Sequence, residues 1–511
     1  MERIYDILCT PGARYPIEAT APTQMVVNTD QSREGVINLD NSAQAINTYA
    51  PVTKARLLDR WLDNVVAFSG SELVFSIIIA MLVTWAFLGL RFGQSNDWQV
   101  VISDVQAIVN LVFDAFLMRQ QLNSHDSLMI VSASLRSRAS SNKRMLRTLM
   151  NSGRYEKAKQ TQSHELQQTE FASQLPAENL LGRMSTAVSV FLGHIATVLA
   201  FWVCIFIWIG FGPYCNWSNT WQLYINSATS ALMIFILAFL ANIRERHGNY
   251  TTKCLRFVYE VDTTLELRLR TTTGDRIENQ PVVIPVPKRT RLQRAIDYYA
   301  DLVGTLTGIV ILFFVMIVWV VIGPVMSFNS NWWLLIGTYT GLIGMNDGYV
   351  LRNVGHICEG YENAEFVQVT FDDMDMMAMI GITQLNEERV ADQSLSCRVS
   401  VAMGNLCSHE LMVVSGVVTI IGLIIGSSAM GWTVTGQLLC NVPPSIIESF
   451  FMLILITGHN IKDAKRRVDL HNIYLRRLKL ISYINTLDKF EEVVETGSGT
   501  SRPTETGKEK E

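Results

Sequence analysis

The chain has 511 residues, 49% of them hydrophobic and 17% charged, with a formal net charge of -4 and a positive mean hydropathy. That balance excludes a string of soluble domains, and it excludes nucleic acid as a partner because no basic excess exists to hold a polyanion. The eight cysteines contain no C-x-x-C pair, which excludes the usual zinc and redox motifs.

In chain order, residues 1–55 read as a polar, aperiodic cytoplasmic segment, mostly disordered or loosely structured. They contain no apolar stretch of the signal-peptide kind, so the first span is expected to serve as an uncleaved anchor. Apolar runs then follow at 73–90, 190–211, 222–241, 302–323 and 410–429, each about long enough to cross a hydrocarbon core of ~30 Å. Residues 99–118, 331–351 and 444–461 match them in length but carry polar groups. The expected fold is an all-α membrane protein with eight transmembrane helices in four hairpins, each continued by a cytoplasmic helix.

The expected units are hairpin one with its extension, 56–150; hairpin two, 180–270; a proline-containing linker, 271–290; hairpin three, 291–392; hairpin four, 396–490; and a disordered tail, 491–511. Segment 119–185 holds ten Lys or Arg and segment 243–300 holds eleven, whereas the four hairpin tips hold one between them, Arg91. Basic loops stay cytoplasmic, so both termini are expected inside and the tips outside. Trp98, Trp217, Trp221, Trp332, Trp333 and Trp432 flank the tips as an interfacial belt would. Cys215 and Cys440 fall in these tips, where a disulfide and two free thiols are both compatible with the sequence. The sequon Asn216-Trp217-Ser218 lies too near the membrane for efficient glycosylation.

The hairpins are copies of one unit. Arg60, Arg183, Arg294 and Arg398 each stand ten residues before a small residue, Gly70, Gly193, Gly304 or Ser408. Fifteen residues later come Trp85, Trp208, Trp319 and, in the fourth copy, Leu423; a second tryptophan follows at Trp98, Trp221 and Trp332. An even number of spans per copy makes the repeats parallel, related by an axis along the membrane normal, so four hairpins surround a centre. The shared residues read as packing scaffold. Chemistry is expected where the copies differ.

They differ in acids. A charge inside a bilayer costs several kcal/mol on most scales, which makes Glu72, Asp104, Asp114, Asp347, Glu410 and Glu448 functional candidates. In copy one, Ser103, Gln106, Asn110, Asp114, Met118, Gln121 and His125 share a helical face and form a polar stripe. Asn346 accompanies Asp347, and His194, His409 and His459 are further possible ligands. Asp104 and Glu448 are expected near the outer interface, with Glu72, Asp114, Asp347 and Glu410 deeper. Asp114 with Arg119, and Asp347 with Arg352, also fit plain ion pairs at helix ends. Cytoplasmic Asp372-Asp373-Met374-Asp375 fits a metal-receiving patch or an amphipathic helix. Carboxylates, amides and imidazoles without a thiolate cluster suit divalent cations such as Fe²⁺ or Mn²⁺, bound loosely enough to leave again. A divalent cation entering a cell at about -100 mV gains about 4.6 kcal/mol, so no nucleotide site is required, and none is visible.

Gly70-Ser71-Glu72, Asn96-Asp97-Trp98-Gln99 and Met118-Arg119-Gln120-Gln121 resemble the fungal low-affinity iron(II) permease family. Trp221-Gln222-Leu223, Ile225-Asn226 and Asn242-Ile243-Arg244 resemble its short bacterial members. The resemblance covers roughly 56–490. It implies plasma-membrane uptake of Fe²⁺ with weak affinity, copper and zinc also being taken by some members, with the metal as substrate and no cofactor or catalytic residue. Copy four departs from the pattern in lacking both tryptophans and carrying Pro443-Pro444. Residues alone leave a non-transporting membrane sensor or scaffold as the other reading, and leave the oligomeric state open.

Overall fold

A computed structural model describes residues 14–24, 49, 54–93, 95–151, 172, 174–382, 387–389 and 395–498. The chain is mostly helical. Four times in succession a short helix leads into an apolar helix and then into a very long one. The first set is α1 (Leu57–Ser69), α2 (Glu72–Phe92) and α3 (Asn96–Asn151). The second is α4 (Leu180–Leu192), α5 (Ile195–Phe211) and α6 (Asn219–Thr273). The third is α7 (Arg291–Gly304), α8 (Leu306–Ile322) and α9 (Ser330–Met379). The fourth is α10 (Leu395–Cys407), α11 (Glu410–Ala429) and α13 (Val442–Ser498), with a short α12 (Val434–Leu439) inserted at the tip.

Among the described residues, five helices are long and apolar enough to cross a membrane: α2, α3, α6, α11 and the helical stretch Val434–Leu487. Two bent pairs raise the number to seven, α4 with α5 at 51° and α7 with α8 at 67°. The expected continuous runs 190–211 and 302–323 are therefore broken, because the chain turns at Gly193-His194 and at Gly304-Thr305. Residues 331–351 of α9, expected as a span, do not join this set; Thr338, Thr340, Asn346 and Asp347 interrupt their apolar character.

Local chemistry recurs with the helices. Ser95, Ser218, Asn329 and Thr433 each stand 35 residues after the repeat arginine, and each accepts a capping hydrogen bond from an amide three residues on. In copies one to three that amide belongs to a tryptophan stacked on its counterpart across the tip. Trp85 and Trp98 lie 4.3 Å apart at 3°, Trp208 and Trp221 3.9 Å at 6°, Trp319 and Trp332 4.3 Å at 3°. The indoles of Trp319 and Trp332 each donate to the other's backbone carbonyl, at 3.1 and 2.8 Å. These tryptophans thus clasp each tip. In copy four the clasp is replaced by Ser427, which donates to the Gly436 carbonyl, and by Cys440, 3.0 Å from the Ser427 hydroxyl. Cys440 and Cys215 are free thiols.

The four long helices form a ring. α3 packs along α6 and α9, and α13 packs along the same two, while the diagonal pairs hardly touch. The order around the ring is copy one, two, four, three. Each apolar or short outer helix leans on the next copy's long helix: α2 on α6, α4 on α13, α11 on α9, α7 on α3. One buried cluster fills the apolar half of the ring and a second fills its polar extension.

In that extension the ring is tied by alternating charges. Arg138 bonds Asp262 at 3.0 Å, Asp262 bonds Arg477, and Arg477 bonds Asp373 at 2.7 Å, all fully buried. Asp373 is therefore a structural ion-pair partner, and Asp372 and Asp375 pair with Arg136 and Lys143; the acidic run is part of an amphipathic helix. Glu362, also buried, meets Lys462, Arg466 and His125 at 3.0–3.2 Å. Burial alone would raise its pKa, but these three partners overcome that and hold it at about 2.

Two expectations about the ends change. Strand β1 (Ile17–Ala19) pairs antiparallel with β2 (Val282–Ile284) of the linker, Ile17 opposite Ile284. The ribbon packs on Met129 and Ala133 of α3, so this part of the N-terminal segment and the linker are ordered together. The apolar Ile17, Ala19 and Ile284 supply the contact. At the other end α13 runs to Ser498, into the expected tail; residues 499–511 lie outside the described residues.

Candidate permeation site

Counting from the repeat arginines gives the axis its levels. Fifty residues on stand Asn110, Met233, Gly344 and Glu448, one from each long helix. All four are buried, and three of them meet: a Cβ built on Gly344 would collide with Asn110 Nδ2 and Glu448 Oε1. Glycine at this level is what lets an amide and a carboxylate approach across the ring. Four residues deeper, one turn along α3, lies Asp114, which is fully buried and feels the charges of both Glu448 and Asp347. Asp347 is 2% exposed and accepts a 2.7 Å hydrogen bond from the Tyr299 hydroxyl of α7.

Asn110, Asp114, Asp347 and Glu448 are therefore brought together, from three of the four copies. Copy two contributes Met233 and, nearer the tips, Asn226, whose amide donates to the Ser103 hydroxyl at 2.8 Å. The carboxylates of Asp114 and Glu448 and the side-chain amide of Asn110 find no hydrogen-bond partner outside this set. Such a set of buried polar atoms without partners is costly unless another group serves them. Among the described residues no three Asp, Glu, His or Cys side chains converge at metal-coordinating distance.

Glu448 moves relative to expectation. The sequence put it near the outer interface with Asp104; the structure puts it beside Asn110, one turn from Asp114. The cause is the extra helix α12, which shifts the start of the long helix in copy four. Asp104 is 8% exposed, one residue round from the axis-facing Ser103, with one oxygen unpartnered, and is not part of the cluster. Asn346 borders Tyr299 rather than Asp114.

Four candidates lie elsewhere. Glu72 is in the first turn of α2, mostly exposed, 2.8 Å from Arg246. Glu410 is in the first turn of α11 and accepts a 2.8 Å bond from the Thr290 hydroxyl. His194 and His409 are helix caps whose Nδ1 atoms accept from Ala196 and Leu411 amides, each at 3.2 Å. Glu72 and Glu410 are the first residues of α2 and α11, at the ends away from the tips, where a carboxylate suits the helix dipole. His459 lies below the cluster, stacked on His247 with ring nitrogens 2.9 Å apart.

Neither helix-end ion pair forms. Arg119 instead bonds Asp63 at 2.6 Å and Asp59 at 3.2 Å, and Arg352 donates to the Gly404 carbonyl at 3.1 Å. The polar stripe of α3 does face inward, Ser103, Gln106, Asn110, Asp114, Met118 and Gln121 all being buried. Tyr299 and Gly344 were not read as site residues. Gly344 was detectable by counting 50 from Arg294, whereas Tyr299 has only Val65, Val188 and Met403 at its position in the other copies.

Comparison with known proteins agrees with the sequence motifs. The family model described as low affinity iron permease matches residues 181–255 and 396–494, in copies two and four. Copy four, divergent in its tryptophans, is thus covered by the family pattern. The chain is 33% identical over 503 residues to a low-affinity iron/zinc ion transport protein, fet4, of Schizosaccharomyces pombe, covering 94% of this chain and 85% of the relative. It is 33% identical over 553 residues to a low-affinity Fe(2+) transport protein of Saccharomyces cerevisiae, covering 97% of this chain and 99% of the relative. No solved structure matches. On near full-length similarity to these relatives, the chain belongs to the low-affinity iron permease family.

Proposed function

We propose that this protein carries Fe²⁺, and related divalent metals such as Zn²⁺, into the cell with low affinity along the axis of its four long helices. The metal is substrate, not cofactor. The observation that carries the reading is the buried set Asn110, Asp114, Asp347 and Glu448, in which the Asp114 and Glu448 carboxylates act on one another and find no hydrogen-bond partner outside the set. Three carboxylates held together out of water repel and lack hydration, and a passing cation relieves both. Their spacing is too loose to form a tight cage, which favours stepwise passage over retention. The relatives are named as low-affinity iron or iron/zinc transporters, which supports the same metals here.

In this reading the ring crosses the plasma membrane eight times, in four parallel hairpins, with both termini cytoplasmic. The α9 segment 331–351, too polar to pass as a span by composition, is tolerated because it faces the ring rather than lipid. The membrane potential supplies the driving force. Purified protein in liposomes should carry Fe²⁺ inward under an inside-negative potential, and Asp114→Asn and Glu448→Gln should each reduce that flux at least tenfold. Flux no greater than in empty liposomes would make the protein a sensor or scaffold. Wild-type flux in both variants would put the path elsewhere.

A further inference from the structure

Fifty-seven residues after each repeat arginine stands a leucine: Leu117, Leu240, Leu351 and Leu455. No other axis-facing level of the apolar half carries the same residue in all four copies. The three levels above hold Ala107, Ser230, Gly341 and Ser445, then Asn110, Met233, Gly344 and Glu448, then Asp114, Leu237, Gly348 and Met452. The leucines are at most 3% exposed and belong to one buried cluster. One turn below, the ring changes character again. Gln121 Nε2 donates to the Leu351 carbonyl at 3.2 Å, Arg244 donates to the Leu117 carbonyl at 3.2 Å, and Arg244 also bonds Gln121 at 3.3 Å. Three long helices are thereby tied together directly beneath the leucines.

Below that tie lies a partly open cavity of about 340 Å³, walled by all four long helices and by Asp63 and Ala67 of α1. It does not continue along the axis. Farther down, Leu135, Val258, Val369 and Ile473 share one repeat position and are fully buried, and the Arg138–Asp262–Arg477–Asp373 ties follow.

We propose that Leu117, Leu240, Leu351 and Leu455 are the inner gate, dividing the carboxylate cluster from a cytoplasmic vestibule that empties sideways past α1. Four leucines packed around an axis leave no room for a hydrated ion and offer no ligand to a bare one, so they close the path by excluding water. The Arg244–Gln121 tie holds this closed packing. The proposal rests on the reading that metal passes the Asp114 cluster, and it adds where passage is stopped and where it ends.

The test measures Fe²⁺ flux into liposomes for the full chain, Leu117→Ser, the double variant Leu117→Ser/Leu455→Ser, and Asp114→Asn. Severalfold faster flux is expected for the single variant and more for the double. Unchanged flux in both gate variants, with Asp114→Asn inactive, overturns the gate and leaves the path standing. Wild-type flux in Asp114→Asn overturns the path and the gate with it. A second readout does not depend on the gate variants folding. A membrane-impermeant cationic thiol reagent added on the cytoplasmic side should modify Gly355→Cys, below the ring, and spare Met452→Cys, above it. Equal modification of both from that side overturns the proposal.

Discussion

Asn242 Nδ2 donates a 2.9 Å hydrogen bond to the carbonyl oxygen of Gly70, joining the break in copy one to the long helix of copy two. The same joint occurs at every corner of the ring. Thr457 Oγ1 donates to the Gly193 carbonyl at 2.7 Å, Arg119 to Gly304 at 3.3 Å and Asn353 to Ser408 at 2.7 Å. Arg119, Asn242, Asn353 and Thr457 all stand 59 residues after their repeat arginine. Four different donors thus do one task. Each satisfies a carbonyl that the helix break would otherwise leave unpaired in an apolar setting. The small residue is required because the neighbouring backbone is so near: a Cβ on Gly193 would lie 3.1 Å from the Thr457 amide and Cα.

Gly70→Ala should therefore destabilise the protein by about 1–3 kcal/mol, since its Cβ would come within 2.8 Å of the Ala241 carbonyl oxygen and 2.9 Å of Glu245 Cβ. Asn242→Ala, which strands the Gly70 carbonyl, should lose about 1–2 kcal/mol. Gly248→Ala is the comparison, since nothing lies within 4 Å of its Cβ; it should be neutral or stabilising. Thermal unfolding in detergent ranks the three. Equal losses at Gly70 and Gly248 would mean that helix propensity, not the corner joint, sets the effect.

The tip clasps make a separate prediction. Trp319 and Trp332 are both buried, stacked, and reciprocally bonded through their indole N–H groups. Either alanine substitution should cost about 3 kcal/mol, and a double-mutant cycle should show a coupling of about 1 kcal/mol. Strictly additive losses would mean that the stack contributes only through burial.

Much of this frame was legible because the repeat is written in residue types that geometry restricts. Arginine, glycine and tryptophan at fixed spacing marked where the helix breaks and tryptophan stacks recur, and the polar stripe from Ser103 to Gln121 falls on a buried face of α3. What was not legible depended on neighbours from other copies. Arg119 is five residues from Asp114, yet it turns to Asp59 and Asp63, because those lie on an adjoining short helix that no local spacing reveals. The apolar runs 190–211 and 302–323 read as unbroken, yet they bend at Gly193-His194 and Gly304-Thr305, and only the packing of Gly193 and Gly304 against another long helix shows why. The ring order one, two, four, three has no trace in the sequence at all.

Acid should act on the polar extension of the ring through Glu362. Its folded-state pKa of about 2 lies below the ordinary glutamate value, so its contribution to stability is complete above about pH 4.5 and is lost as pH falls toward 2. Glu362→Gln leaves Lys462, Arg466 and His125 facing a neutral amide, and should lose about 3 kcal/mol at pH 7. The gap in apparent melting temperature between this variant and wild type should then close progressively between about pH 4.5 and 2. A gap that stays constant over that range would show that Glu362 acts by packing rather than charge.

Gly344 offers the sharpest test of the cluster, because it adds no chemistry and removes only space. Its Cα is where Asn110 and Glu448 approach each other, and an added methyl would push both away. At Gly348, one turn along the same helix, a Cβ would make its nearest contact with Phe451 Cβ at 3.3 Å and stay 3.9 Å from the nearest Glu448 atom. Gly344→Ala should cut Fe²⁺ flux about tenfold or more while the protein still folds, and Gly348→Ala should reduce it far less, since the first disturbs two groups of the proposed path and the second mainly a ring contact. Both variants can be compared by flux at matched protein density, with thermal unfolding as the control for folding. Equal flux in the two would mean that the Asn110–Glu448 approach does not limit passage, and that the acids act only as a diffuse negative field along the axis.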